Sequence, residues 1–75
     1  MNDPSTQQKA ADNLKKAIDL GFKTFNNYFT LGIVNANLGN FFTAEQNINK
    51  ALEIKPDNQN AKQALEVIRK KIYLQ

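Results

Sequence analysis

The sequence predicts an all-α fold of four antiparallel helices arranged as two stacked helical hairpins. Three observations lead there. Gly21, Gly39 and Pro56 divide the 75-residue chain into four segments. Within each segment apolar residues recur three and four positions apart, the spacing of one helix face. The heptapeptide Leu14-Lys15-Lys16-Ala17-Ile18-Asp19-Leu20 also recurs in kind as Ile48-Asn49-Lys50-Ala51-Leu52-Glu53-Ile54, an offset of 34 residues. That interval holds one full helix–turn–helix unit.

The first helix is expected over about residues 4–20. Asp3 suits the cap, and Pro4 the first helical position, where its missing amide proton costs nothing. Ala10, Ala11, Leu14, Ala17 and Ile18 form its apolar face. Gly21 ends it, because glycine takes a left-handed conformation at little steric cost. The second helix runs from about Phe25 to Leu38, with Thr24 as cap. It carries one stripe of Tyr28, Leu31, Gly32 and Asn35, and an adjacent one of Phe25, Phe29, Ile33 and Ala36. A helix apolar on two faces packs against two neighbours or offers one face to a partner.

The third helix is expected from about Phe42 to Ile54, with Thr43 and Gln46 as a capping box. Phe41, Ala44, Ile48, Ala51 and Leu52 point inward. Pro56 stops the helix, since it lacks an amide proton and restricts Lys55. The fourth runs from about Asn58 to Tyr73, with Asp57 as cap. Ala61, Ala64, Leu65, Ile68 and Ile72 face the core, and Lys62, Gln63, Glu66, Arg69 and Lys70 face water. The connections are short, so successive helices are antiparallel neighbours.

Composition narrows the function. The chain is 41% hydrophobic and 23% charged, an ordinary globular mix, with no Cys and no His. Disulfides and thiolate metal sites are excluded, and the usual general base is missing. No Gly-rich phosphate loop occurs, and the carboxylates of Asp12, Asp19, Glu45 and Glu53 have no partner set at chemical spacing. Glu45 and Glu53 read as solvated surface. The chain is therefore not read as an enzyme, and no cofactor or metal is expected. Nothing approaches the roughly 18 consecutive apolar residues of a membrane span. The polar start, Met1 to Thr6, is no secretory signal as it stands. A cytoplasmic setting is favoured, and no membrane partner is expected. The formal charge is +3, and the excess sits in residues 59–75, where Lys62, Arg69, Lys70 and Lys71 face a single acid, Glu66. Such basic residues late in a helix complement its dipole. They are few for nucleic acid, where roughly 6–10 phosphate contacts are common.

The segment Tyr28-x2-Leu31-Gly32-x2-Asn35, then Ala44-x3-Ile48, then Pro56, resembles the tetratricopeptide-repeat pattern of W-x2-L-G-x2-Y, A-x3-F and P. Ala51 and Asn40 also fall where that family has small and turn residues. The resemblance covers nearly the whole chain as one domain, 1–75. Residues 25–58 resemble a full repeat. Residues 7–20 resemble the second helix of a preceding repeat, and 59–74 the first helix of a following one or a capping helix. The resemblance implies a right-handed α-solenoid segment. Small Gly32 and Ala44 let the helices of the hairpin approach closely, with Tyr28, Leu31 and Ile48 beside them. Asn35 stands where the family has Tyr, so it either finds hydrogen-bond partners or stays wet.

The resemblance also implies a protein or peptide partner in a groove lined by the first helix of each repeat. That face maps to Asn26, Phe29, Ile33, Ala36 and Asn37, and in the last helix to Asn60, Gln63, Val67 and Lys70. Phe29 and Ile33 stand where a carboxylate-gripping subgroup has Lys and Asn, which argues for a more apolar partner. The bland alternative packs Phe29 and Ile33 on the first helix. A second reading is a self-associating stack, a homodimer or part of a longer array, with Phe41 and Phe42 seeding the contact. Eleven Asn residues are present, with no amide ladder evident along the chain.

Overall fold

The computed structural model describes residues 3–74. Met1 and Asn2, where the polar start begins, and Gln75, where the expected domain ends, lie outside the described residues. Four helices follow one another: α1 (Pro4–Asp19), α2 (Phe25–Asn37), α3 (Phe41–Ile54) and α4 (Gln59–Tyr73).

The helix ends show how local chemistry sets these bounds. Asp3, Thr24 and Asn58 cap α1, α2 and α4, accepting from the amides of Thr6, Asn27 and Ala61. Asn58, not Asp57, is thus the cap of α4. Asn58 adopts the extended backbone a cap needs, and its Oδ1 lies 2.9 Å from the Ala61 amide. The capping box at Thr43 does not form either. Helix α3 begins at Phe41, one residue earlier than expected, and Thr43 lies inside it. Asn40 occupies its cap position but makes no side-chain cap bond.

At their C-terminal ends α1 and α2 use the same turn. The amides of Gly21 and Phe22 donate to the carbonyls of Ile18 and Ala17 at 2.9 and 3.0 Å. Those of Gly39 and Asn40 donate to Ala36 and Asn35 at 3.0 and 2.8 Å. These are the paired bonds of a Schellman motif, which needs a left-handed residue. Gly21 and Gly39 supply it, with φ of 103° and 83°.

Helix α2 is the hub. It packs on α1, most extensively on α3, and at its margin on α4, whereas α1 touches α2 alone. Two apolar clusters result. Leu31 and Val34 of α2 meet Ala11 of α1, with Leu14, Ile18 and Leu38 around them. Phe25 faces the other way and joins Ala44, Ile48 and Ala51 of α3 and Ala61, Leu65 and Ile68 of α4. At one end of this second cluster the rings of Phe25 and Phe29 stack at 5.5 Å, and the Lys55 ammonium sits 5.0 Å above the Phe25 ring.

The α2–α3 crossing is the tightest point. A Cβ built on Gly32 would lie 2.5 and 2.7 Å from Cδ1 and Cγ1 of Ile48, and 3.3 Å from the Ala44 carbonyl oxygen. Ile48 is fully buried, so it has little room to move away. Gly32→Ala should cost about 1–3 kcal/mol in overpacking, against roughly 1 kcal/mol gained in helix propensity. The net loss is then up to about 2 kcal/mol in urea unfolding. In an Ile48→Ala background the same change should become neutral or stabilising. Equal effects in both backgrounds would show that this contact does not set the crossing.

Candidate functional site

The residues expected to meet a partner divide into three environments. Asn26 and Asn37 of α2 are exposed, and Asn37 lines a cleft with Pro4 and Gln7 of α1 and with Leu38. Ile33 lies beside them, half-buried. Phe29 is drawn further in by its stack on Phe25. Both Phe29 and Ile33 pack against the cluster shared with α3 and α4. The alternative in which they rest on α1 is therefore corrected: the α1-facing side of α2 is taken by Leu31 and Val34.

On α4, Gln63 and Val67 are exposed, and Val67 keeps 57% of its surface open. They stand on the side away from Ala61, Leu65 and Ile68, one helical turn apart. Lys70 points elsewhere. Its ammonium lies 3.4 Å from Glu66, four residues earlier, and both line a groove of about 610 Å³ along the free face of α4. Lys62, Leu65, Arg69, Tyr73 and Leu74 complete that groove. Of the repeat positions, Leu31, Gly32, Ala44, Ile48 and Ala51 are buried, Tyr28 is half-buried, and Pro56 is exposed in the α3–α4 connection. Phe41 is half-buried against the α3–α4 cluster, while Phe42 is 66% exposed.

Three polar features depart from expectation. Glu45 is not solvated surface. Its side chain is only 15% exposed and accepts from Arg69 Nε at 3.0 Å and from the Tyr73 hydroxyl at 3.3 Å. Arg69 and Tyr73 are four residues apart on α4, so both reach one carboxylate on α3 and clasp the two helices. Their spacing opposite an acid on an antiparallel neighbour is a signal the sequence held. Asn35 is not wet: it is 7% exposed. Its Nδ2 donates to the Leu31 carbonyl at 3.0 Å, and its Oδ1 accepts from Asn40 Nδ2 at 3.3 Å. Asn40 thereby forgoes its cap bond to satisfy a buried amide. The third is that the fold gathers amide side chains which look scattered along the chain: Asn35, Asn40 and Asn47 line one cleft.

Among the described residues no group of three or more acidic, His or Cys side chains could hold a metal ion. No described helix is long and apolar enough to cross a membrane. The α2–α4 side therefore offers shape, an apolar residue at Val67, part of Ile33, and amide rims at Asn26, Asn37 and Gln63.

A family model described as the Fis1 C-terminal tetratricopeptide repeat matches residues 26–73. No curated protein and no solved structure matches the chain significantly.

The Glu45 clasp is partly exposed, with Arg69 half open to water. Its worth is accordingly small. Glu45→Ala should lower stability by about 0.2–1 kcal/mol at low salt, and added salt should shrink that difference. A salt-independent loss in thermal melts would point to packing rather than charge.

Proposed function

The chain belongs to the Fis1 C-terminal tetratricopeptide repeat family, and on that premise we propose a protein-interaction module that takes a peptide or partner helix on the side shared by α2 and α4. In this reading residues 25–58 form the full repeat, α1 serves as the second helix of a preceding repeat, and residues 59–74 form the cap. The α2–α4 side is the inner, concave face. The observation that carries the reading is Val67 of α4, 57% exposed beside the polar Gln63, with Ile33 of α2 only half-buried. Asn26, Asn37 and Gln63 frame them with groups that orient a ligand by hydrogen bonding, and Phe29 supports Ile33 from below. Exposed apolar area in the middle and polar groups at the edge is the usual anatomy of such a contact. Lys70 contributes from the rim, outside the contact itself. Catalysis has no place in this reading, since the fold type is one of interaction.

The alternative of a self-associating stack is weakened by charge. The first 24 residues carry a net +1 and residues 59–75 a net +3. Head-to-tail stacking would bring α1 of one copy against α4 of the next, and both bear excess positive charge. A terminal helix with a charged outer face is what closes a repeat stack to further growth.

The test begins with affinity capture of the bound protein by the intact chain, followed by titration of that purified protein. Asn26→Glu with Val67→Glu changes two exposed positions that tolerate a helix former. Binding should weaken about tenfold or more, because a charge is forced into an apolar contact. The helical circular dichroism should be unchanged. Undiminished affinity in the folded double variant would remove the α2–α4 side as the contact.

A further inference from the structure

One flank of α4 carries the groove of about 610 Å³, and among the described residues no other helix lines it. Two rows of side chains bound it. Lys62, Glu66, Lys70 and Leu74 follow one another at four-residue spacing, and so do Leu65, Arg69 and Tyr73. Rows of that spacing are the ridges of a helix surface, and the space between two of them is what a ridge of another helix fills. The groove runs for about three helical turns, about 18 Å at roughly 1.5 Å per residue. Arg69 and Tyr73 reach Glu45, so it lies on the α3 flank of α4. Val67 precedes Arg69 by two residues, about 200° of helix rotation, and points nearly the opposite way. The groove is thus a different surface from the α2–α4 side.

Charge selects the partner. Three cations of the groove, Lys62, Arg69 and Lys70, stand against one acid, Glu66. Glu45 and Glu66 are paired with Arg69 and Lys70, so among the described residues Lys62 meets no carboxylate. The Glu66–Lys70 pair is exposed on both sides, and pairs of that kind hold weakly. Arg69 gives Nε to Glu45 and its side chain is still 52% exposed. The apolar part lies at the C-terminal end, where Tyr73 and Leu74 are largely open, with Leu65 buried at the floor. Charge and apolar surface on one stripe call for a helix that carries both on one face, with carboxylates toward Lys62 and Lys70 and apolar residues toward Tyr73 and Leu74. Nucleic acid fits less well, because Glu66 sits among the cations and three of them are few where roughly 6–10 phosphate contacts are common. A second copy of this chain would bring a like-charged α4 into the groove, since residues 59–75 carry a net +3.

We propose that the α4 groove docks an acidic amphipathic helix of a partner protein, laid between the two ridges over about three turns. One of its carboxylates gives Lys62 a partner, and another takes over Lys70 from Glu66. Its apolar residues, at three- and four-residue spacing, cover Tyr73 and Leu74. The charges set orientation and speed of association, and the apolar contact holds the helix in place.

The probe is a fluorescent peptide of about 15 residues with Leu at positions i, i+3, i+4 and i+7 and Glu along both edges of that stripe, titrated with the intact chain and followed by anisotropy. It should bind saturably at low salt and more weakly as salt is added. The same peptide with Lys in place of Glu should bind about tenfold or more weakly. A scrambled peptide of the same composition, which breaks the stripe, should lose several-fold. Lys62→Gln with Lys70→Gln removes two exposed charges, and Leu74→Ala trims an exposed apolar side chain. Each should weaken the probe several-fold with the helical circular dichroism unchanged. Val67→Ser, an uncharged change on the other flank, should leave the affinity unaltered. No saturable binding, equal binding of the scrambled peptide, unaltered affinity in either groove variant, or a loss in Val67→Ser would each overturn the proposal. So would displacement of the probe by oligothymidylate more readily than by unlabelled peptide, which would assign the groove to nucleic acid. A dimer in sedimentation that the Lys62→Gln, Lys70→Gln variant dissolves would assign it to a second copy and overturn the proposal as well.

Discussion

Everything in this small fold depends on the absence of one methyl group. Gly32 lies against Ile48 so closely that a Cβ could not be added without moving a fully buried side chain. That proximity brings the backbones of α2 and α3 together and sets where the rest must go. With Ala44 and Ala51 also small and buried, the hairpin closes on its flanks rather than on bulky residues between its axes. Phe25 and Tyr28 are then free to reach toward α3 and α4, while Leu31 and Val34 are left for α1. The hub role of α2 follows from a helix apolar nearly all round, with only a narrow polar strip facing water.

That strip decides what the molecule can offer. Because α2 spends most of its circumference on neighbours, Asn26 and Asn37 are among the few α2 side chains left exposed, and Ile33 is half-buried. The terminal helix is built for dual duty. One side is buried against α3, another carries the groove with the Glu66–Lys70 pair and the apolar Leu65, Tyr73 and Leu74, and Val67 remains open. The basic excess of residues 59–75 sits on α4 and the residues beside it.

Much of this was legible in the sequence for a plain reason. Periodicity, breakers and cap residues act within a few positions, and each helix of this chain obeys them. The bounds of α1 and α2 came within a residue because Pro4, Thr24, Gly21 and Gly39 have local roles. The misses involve choices between neighbours or across the fold. Asp57 and Asn58 are both good caps, and only backbone geometry selects Asn58. Thr43 lost its cap role because Asn40 was already in place, turned toward Asn35 by a buried amide that no local rule takes into account. Glu45 read as surface because its partners, Arg69 and Tyr73, lie on another helix. The amide cleft was invisible for the same reason: Asn35, Asn40 and Asn47 become neighbours only when α3 folds back along α2. Phe29 stacks on Phe25 because an aromatic pair at four-residue spacing turns inward as readily as it faces out.

The Glu45 clasp has a consequence of a different kind. It joins residues 24 and 28 positions apart. Nearly all the remaining packing links helices that are adjacent along the chain, the margin between α2 and α4 excepted. Such a topology demands little loop closure before contacts begin to reward it, and helical domains of this kind form in about microseconds to milliseconds. The clasp too joins neighbours along the chain, α3 and α4, and it is partly hydrated. It acts as a latch that ties α4 to the α2–α3 hairpin through one carboxylate shared by two side chains of the last helix.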